Sequence, residues 1–547
     1  MVDLHKYELP IAQALSADYI NGKQQVVEKL YGYYAGNDTD WVKRASKLTE
    51  LQHTRVNSES LANVLKAYNE RLSASEATIA NIAHIAQGAK VVIGGQQAGI
   101  WTGPLLVVHK AVSIIQAALS ASEQLQEKIV PVFWIAGEDH DWDEVNHTYV
   151  ISPDQQLKKL SIGRDASLKT SVSRTAISAE QWQEALEELS EQLPGSEFKE
   201  QLVQELQQMA EKSNSLSDFF GHMLSKLFAQ YGLVLIDSDD AAVRAIESSM
   251  FARLLKHNDE LEEAYLQTAQ AVRDMGYSLQ ADVTANSANL FVFVKESQSD
   301  RVLLYKENGE FRDRKNQYRW TMEQLEQLLQ HEPQSFSNNV LTRPLMQDHL
   351  FPVLATVLGS GEISYWGLTK QAFEVLGMEM PIIVPRMSYT LVEGIIAKNM
   401  AKYELSFADV MDQFQERKQQ WLHDQDELHI ADQFGHVREQ FTAMYAPLIE
   451  LAGSIQSGLA KLGDTNMNKI IEQMTYMEAK TVDAQQKQFE AAIRQLDRVE
   501  LTLKPNGKPQ ERVLSMISYW NRYDKVWLDA IFATGYSRTG GHEIVHL

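Results

Sequence analysis

The 547-residue chain contains no cysteine, which excludes disulfides, thiolate-held zinc and a cysteine nucleophile. No apolar run reaches the roughly 18 residues that a membrane-crossing helix needs, and the opening "MVDLHKYELPIAQAL" lacks the basic-then-apolar order of a secretory signal. These absences predict a cytoplasmic protein without a membrane partner. Positive charge is also short, with 51 Lys and Arg against 73 Asp and Glu and a formal net charge of −22. Such a surface repels phosphate backbones, so no nucleic-acid partner is expected and small molecules are the better substrates. At 44% hydrophobic and 23% charged the composition is that of a globular protein, and the length is too great for one core, so two or three domains are expected.

The first 90 residues read as mainly helical. After them come "VVIGG" (91–95) and "KIVPVFWIAGED" (128–139), short apolar runs ending in small and polar residues, with the helix-like "PLLVVHKAVSIIQAALSAS" between them. Strand, helix, strand in this order implies a parallel sheet. "GLVLIDSDD" (232–240) and "MPIIVPRMS" (380–388) complete four candidate core strands. The polar segment from 151 and "NLFVFVKESQSDRVLLYKENGEFRD" are of different character; alternation and the "NG" pair in the latter predict antiparallel strands. Both read as insertions into an α/β domain.

Later in the chain Phe434, Phe441, Leu448, Ile455 and Leu462 recur every seven residues, with Val437, Met444 and Leu451 on the complementary seam. This is an a/d heptad stripe, although helices packed on an ordinary core would show a similar one. "GDTN" (463–466) is the expected turn, with Gly463 as C-terminal cap. A second stripe runs through Met467, Ile470, Met474 and Met477, then, after a phase shift, Val482, Phe489, Leu496, Val499 and Leu503. The reading is an antiparallel coiled-coil arm on the order of 40 Å long.

Ligands of an open parallel sheet sit beyond the carboxyl ends of its strands. "GGQQAGIWTGP" and "AGEDHDWDEVNH" both occupy that position, so they face one crevice. The first offers the bare backbone of Gly94, Gly95 and Gly103, the amides of Gln96 and Gln97, and His109 and Lys110 at a helix start suited to an anion; equally, its glycines allow a loop to pack tightly on the sheet. The second offers Glu138, Asp139, His140 and Asp141 as candidate catalytic groups. An Asp-His-Asp set could alternatively hold Mg²⁺ or Zn²⁺, making a metal-dependent hydrolase, but neither HExxH nor EF-hand spacing is present and no metal is expected. A third cluster, "FSNNVLTRPLMQDHLFPVLATVLGSGEISYWGLTKQAF" (336–373), joins Asn338, Asn339, Arg343 and Gln347 to Glu362 of a glycine bend and to Tyr365. Arg343 can take a carboxylate bidentately and the asparagines can read hydroxyls; the plainer reading is that Arg343 and Asn338 cap helices and turns.

These motifs, with "ERVLSMISYWNRY" (511–523), resemble the BshC family, the cysteine-adding enzymes of bacillithiol biosynthesis, and the resemblance spans essentially the whole chain. It implies a Rossmann-type core similar to class I aminoacyl-tRNA synthetases, at 1–390, with connecting-peptide insertions at about 151–231 and 277–335. It further implies a coiled-coil domain at 391–510 that makes a homodimer, and a return segment at 511–547 packing on the core. The implied reaction is the last pathway step, joining cysteine to the amine of glucosaminyl malate, with an ADP or ATP pocket near the arm and apart from the main crevice. Malate carboxylates would suit the helix start at 102–110 and Arg343; glucosamine would suit Asn338 and the carboxylates at 138–141, with Glu138, Asp139 or His140 as general base. The HIGH and KMSKS adenylation sequences of class I synthetases are replaced by "GPLLVVHK" and "PRMSYT" (385–390). That departure leaves the activation of cysteine open and supports an alternative, a nonenzymatic dimeric nucleotide-binding scaffold.

Overall fold

All four apolar runs form strands, and the computed structural model describes them within residues 7–164, 170–294, 300–425 and 429–547. In chain order the strands are β1 (Val91–Gln96), β2 (Val130–Ile135), β3 (His147–Ile151), β4 (Leu157–Ser161), β5 (Val234–Asp237), β6 (Ser287–Val294) and β7 (Asp300–Glu307). They continue with β8 (Glu310–Arg312), β9 (Arg319–Trp320), β10 (Phe336–Asn338), β11 (Val353–Leu358), β12 (Ile382–Pro385), β13 (Met387–Val392) and β14 (Gly541–His546). The main sheet is parallel throughout, in the order β12-β11-β1-β2-β5. Ranked along the chain, these five strands stand 3-2-1-4-5 when read from β5, the Rossmann order. The fifth strand, β11, is not among the four expected. It lies inside the stretch read as the third ligand cluster, where "VLATVL" hides between polar neighbours.

Nearly every residue of the five strands is buried, so both faces are covered and the strands read as continuous apolar runs instead of alternating ones. The helix Leu106–Leu125 packs on β1, β2 and β11, and Val107–Ala118 is buried all round. Its outer side is closed by later chain: Ser113 Oγ accepts from Met387 N at 3.0 Å, the Tyr389 hydroxyl meets Gln116 Oε1 at 3.0 Å, and Arg538 donates to Ser120 Oγ. A helix hydrophobic on all sides is therefore an interior element here.

The first insertion is mainly helical, with helices Ala179–Gln192, Lys199–Ala210 and Leu216–Leu227 after a short hairpin, and the second is a sheet of its own. β3 pairs with β4 as a hairpin, and β10-β6-β7-β8-β9 form a second, antiparallel sheet. Asn308 (φ 53°) and Gly309 (φ 85°) turn β7 into β8, the positive φ pair that the "NG" signal requires. Residues 5–391 and 508–547 make one compact unit, and 392–507 the other.

In the second unit the helix Ile430–Ile455 is followed by Ser457–Gln488 and Glu490–Leu503. Arg438 pairs with Glu478, Tyr445 with Asn466, and Ile449 with Gly463, so the first two helices run antiparallel. The turn is not at "GDTN": helix continues through 463–466, and the chain reverses at Gln456, which is extended (φ −154°, ψ 127°). Gly463 serves close approach instead, since a Cβ there would lie 2.9 Å from Ile449 Cγ1. At about 1.5 Å per residue the 26-residue first helix is about 39 Å long.

His349, at the end of the helix Arg343–Leu350, is buried; its Nε2 bonds Ser249 Oγ at 3.1 Å and its Nδ1 has no partner among the described residues. Burial, with Arg253 and Arg55 nearby, pushes its pKa down to about 4. A histidine depressed on folding takes up its proton more readily when unfolded, so stability is lost as pH falls from about 6.5 towards 4. His349→Gln should flatten the pH dependence of the denaturant midpoint in that window, removing up to about 3 kcal/mol of it; an unchanged slope would rule out this source.

Candidate functional site

Strand order reverses between β1 and β11, the switch point where ligands bind in such sheets. Lys110 bridges it. Its buried ammonium donates to Gly95 O at 2.8 Å and Gln96 Oε1 at 3.0 Å at the end of β1, and pairs with Glu362 in the helix after β11. Burial lowers the Lys110 pKa, and Glu362 opposes that. Beside this pair Arg343 Nη2 donates to the Tyr365 hydroxyl at 2.8 Å, while Arg343 Nε is buried without a partner among the described residues. Burial works against the Arg343 charge, but Tyr365, Glu362, Glu138 and Asp139 outweigh it and raise its pKa; burial pushes Tyr365 up to about 12.

The glycine-rich bend is filled by protein. A Cβ on Gly94 would come within 2.8 Å of Ile114 Cδ1, one on Gly95 within 2.7 Å of Trp134 O, and one on Gly99 within 3.0 Å of Gly103 Cα. Trp101 and Thr102 take φ of 52° and 66°, and the Trp101 ring is wedged edge-on against Trp182 and Phe219. Three amides of the bend are spent within the protein: Gly99 N on Gln97 O, Gly103 N on Ile100 O and Leu105 N on Leu514 O. The expected anion seat at 102–110 is therefore corrected to a packed turn. His109 also turns away from Lys110. It is buried and bonds Glu511 Oε2 at 2.7 Å, and Glu511 in turn is clamped bidentately by Arg386. Arg386 is thus the partner of Glu511, not a free cation of a KMSKS-like loop.

Beyond β2, the four candidate catalytic residues divide. Glu138 is buried, pairing with Arg244 and accepting from Asn338 N at 3.2 Å, both at Oε2; these bonds make it an anchor between the end of β2 and the inserted sheet. Arg244 also holds Glu247 at 2.7 Å, whose pKa burial raises to about 7. Asp139 accepts from Gln97 Nε2 at 2.7 Å and from His140 N at 2.7 Å. Burial would raise its pKa, but Gln97 and Arg301 prevail and hold it below the usual carboxylate range. His140 is half-exposed and meets Arg301, whereas Asp141 faces solvent. Glu144 is tied in as well, accepting from Gln97 at 2.6 Å. Among the described residues no three His, Cys, Asp or Glu side chains form a metal-holding group.

The asparagines differ in the same way. Asn339 is a cap: its Oδ1 accepts from Leu341 N at 2.9 Å and Thr342 N at 3.0 Å. Gln347 is buried one turn after Arg343 on the same helix. Asn338 is also buried, its backbone held by Glu138 and Arg301, yet both side-chain polar atoms lack a partner among the described residues. A buried amide without partners is costly unless a ligand or water completes it.

With this geometry in view, two family descriptions match the chain: "Bacillithiol biosynthesis BshC, N-terminal Rossmann-like domain" over residues 2–387 and "Bacillithiol biosynthesis BshC, C-terminal coiled-coil domain" over 389–547. The chain belongs to the BshC family. A protein of Bacillus cereus is 33% identical over 537 residues, 98% of each chain, and one of Bacillus cytotoxicus is 33% identical over 548 residues, 100% of each. Both carry the name "Putative cysteine ligase BshC", so the family is one of ligases.

Sequence reasoning missed Arg244, Arg301 and Arg174. Asp239, which Arg174 grips through Nε at 2.9 Å and Nη2 at 2.8 Å, was signalled by the carboxylates ending "LIDSDD"; nothing in the local sequence marks its partners. A cavity of about 340 Å³ at the amino ends of β1 and β11 is lined by Lys90 and Arg55, but these are paired with Glu127 and Asp348. The cations of that cavity are therefore satisfied by the protein. Removing one partner of a buried pair strands the other charge. Arg244→Gln should cost roughly 3–5 kcal/mol in denaturant unfolding, and a loss below about 1 kcal/mol would show that the network is not what holds Glu138.

Proposed function

We propose that this chain joins cysteine to the amine of glucosaminyl malate, the last step of bacillithiol synthesis. The supporting observation is the pairing, at one switch point, of a cationic corner with an unpartnered amide and an ionised carboxylate. Arg343, with its Nε unpartnered among the described residues, suits a malate carboxylate, Lys110 being held by Glu362 and the end of β1; Asn338 suits sugar hydroxyls, and Asp139 draws the glucosamine nitrogen. The relatives' name supplies cysteine as the second substrate.

Amide formation makes one C–N bond at the cysteine carboxyl carbon, expels the group that activates that carboxyl, and removes a proton from nitrogen. Asp139 is too weak a base for a free ammonium, but the cationic adduct formed on attack is far more acidic, and a positioned carboxylate can take its proton. The packed β1 turn, with the amides of Gly99, Gly103 and Leu105 bonded within the protein, weighs against a nucleotide there. ADP or ATP binding is proposed as a property outside this crevice.

The test is a purified-component assay with cysteine, ATP and glucosaminyl malate. Bacillithiol should form, Asp139→Asn should abolish it with folding intact, and Arg343→Ala should weaken glucosaminyl malate binding by roughly 1–3 kcal/mol in calorimetry. No product from the wild type would favour the scaffold; equal affinity would remove Arg343 from the site.

The homodimer is proposed from the arm itself. Val437, Met444, Leu448, Leu451 and Ile455 are exposed along the helix Ile430–Ile455, at the three- and four-residue spacing of an apolar seam. Leu448→Asp with Leu451→Asp should yield monomers in sedimentation with the first unit still folded; unchanged dimers would reject the seam.

A further inference from the structure

Arg301 enters from β7 of the inserted sheet and is gripped on three sides. Its Nε donates to Ser337 Oγ at 2.9 Å, its Nη2 donates to Asn338 O at 2.6 Å, and its guanidinium lies 3.8 Å from the centre of the Phe291 ring. The remaining Nη1 stands 3.1 Å from His140 Nδ1. A guanidinium has donors only, so Nδ1 must present a lone pair, and a neutral imidazole then carries its proton on Nε2.

We propose that Arg301 is a positioning residue that fixes His140 as the Nε2–H tautomer, so that His140 donates a hydrogen bond to a substrate oxygen and does not serve as the base. The donor role rests on the ligase reading above; the tautomer does not. The competing partner for Nδ1 is Asp139 Oδ1, at 3.7 Å and already bonded by His140 N. The other charges facing the ring are Asp141 and Arg164, the latter reaching His140 O at 3.5 Å. Burial and Arg301 lower the His140 pKa, Arg164 adds to this, and Asp139 and Asp141 oppose it. Protonating Nδ1 would set two N–H groups against each other. A fixed N–H is most useful where an oxygen gains charge, as the carbonyl oxygen of the cysteine carboxyl does under amine attack. The nitrogen's proton then goes to Asp139, and His140 returns no proton of its own.

The experiment is a long-range ¹H–¹⁵N correlation of the full-length, histidine-labelled protein without substrate, with His140→Gln to identify the signal. The wild type should show unprotonated Nδ1, protonated Nε2 and a titration midpoint below the ordinary value of about 6.5. Arg301→Gln should mix the tautomers and move the midpoint up towards that value. A protonated Nδ1 in the wild type overturns the proposal even if the variant fails to fold, as does an unchanged titration in a folded variant. In the ligase assay Arg301→Gln should lower kcat about tenfold or more with KM within about twofold; unchanged kcat overturns the donor role. Because the spectrum needs no substrate, loss of the ligase reading would leave the tautomer result standing.

Discussion

Arg244 is the fastening on which the site depends. Its guanidinium, wholly buried, joins Glu138 at the end of β2 to Glu247 on its own helix and lies 3.8 Å from Asp239 beyond β5. Glu138 then accepts from Asn338 N, and Asp239 is gripped by Arg174, which also reaches Gln334 O. The carboxyl ends of two core strands and the last strand of the inserted sheet are thereby held by one set of charges. Removing one member of such a buried set strands the charges of the others, so the network favours one arrangement of insertion against core.

The same constraint explains how a chain of net charge −22 keeps a cationic crevice. Lys110, Arg343, Arg386, Arg244 and Arg301 gather at one end of the sheet, and most are answered by a carboxylate of the protein. Arg301 and Arg343 differ from the others: among the described residues neither has a carboxylate at hydrogen-bond distance, Arg301 being held by Ser337, Asn338 O and His140 and Arg343 by a phenol, while Asn338 close by has no side-chain partner. Ligand-binding capacity therefore lies where the protein's own pairing is incomplete. The bend after β1, where other Rossmann folds hold phosphate, is closed by Trp101 and by the chain around Leu514. The two uses of the fold differ because here the bend is packed against protein and three of its amides are bonded within the chain.

What the sequence determined by itself is what depends on near neighbours. Four of five core strands, the "NG" turn at Asn308 and Gly309, and the helical arm all follow from periodicity and turn chemistry, which act over a few residues. The strand ends at which the candidate site is placed were legible too, because an apolar run closing in small and polar residues marks where a strand stops. Even in the arm, short-range reasoning chose the wrong one of two glycine-containing stretches: Gly463 reads as a turn but makes room for Ile449, and the chain reverses at Gln456, just before Ser457 and Gly458. Only the tertiary structure decided which polar groups meet. Glu138 and Asp139 are adjacent in sequence, yet one is locked by Arg244, 106 residues away, and the other remains at the crevice. His140 owes its tautomer to Arg301, 161 residues away. A side chain's proton affinity and its free lone pairs are set by contacts through space, and no local pattern encodes which residue will supply them.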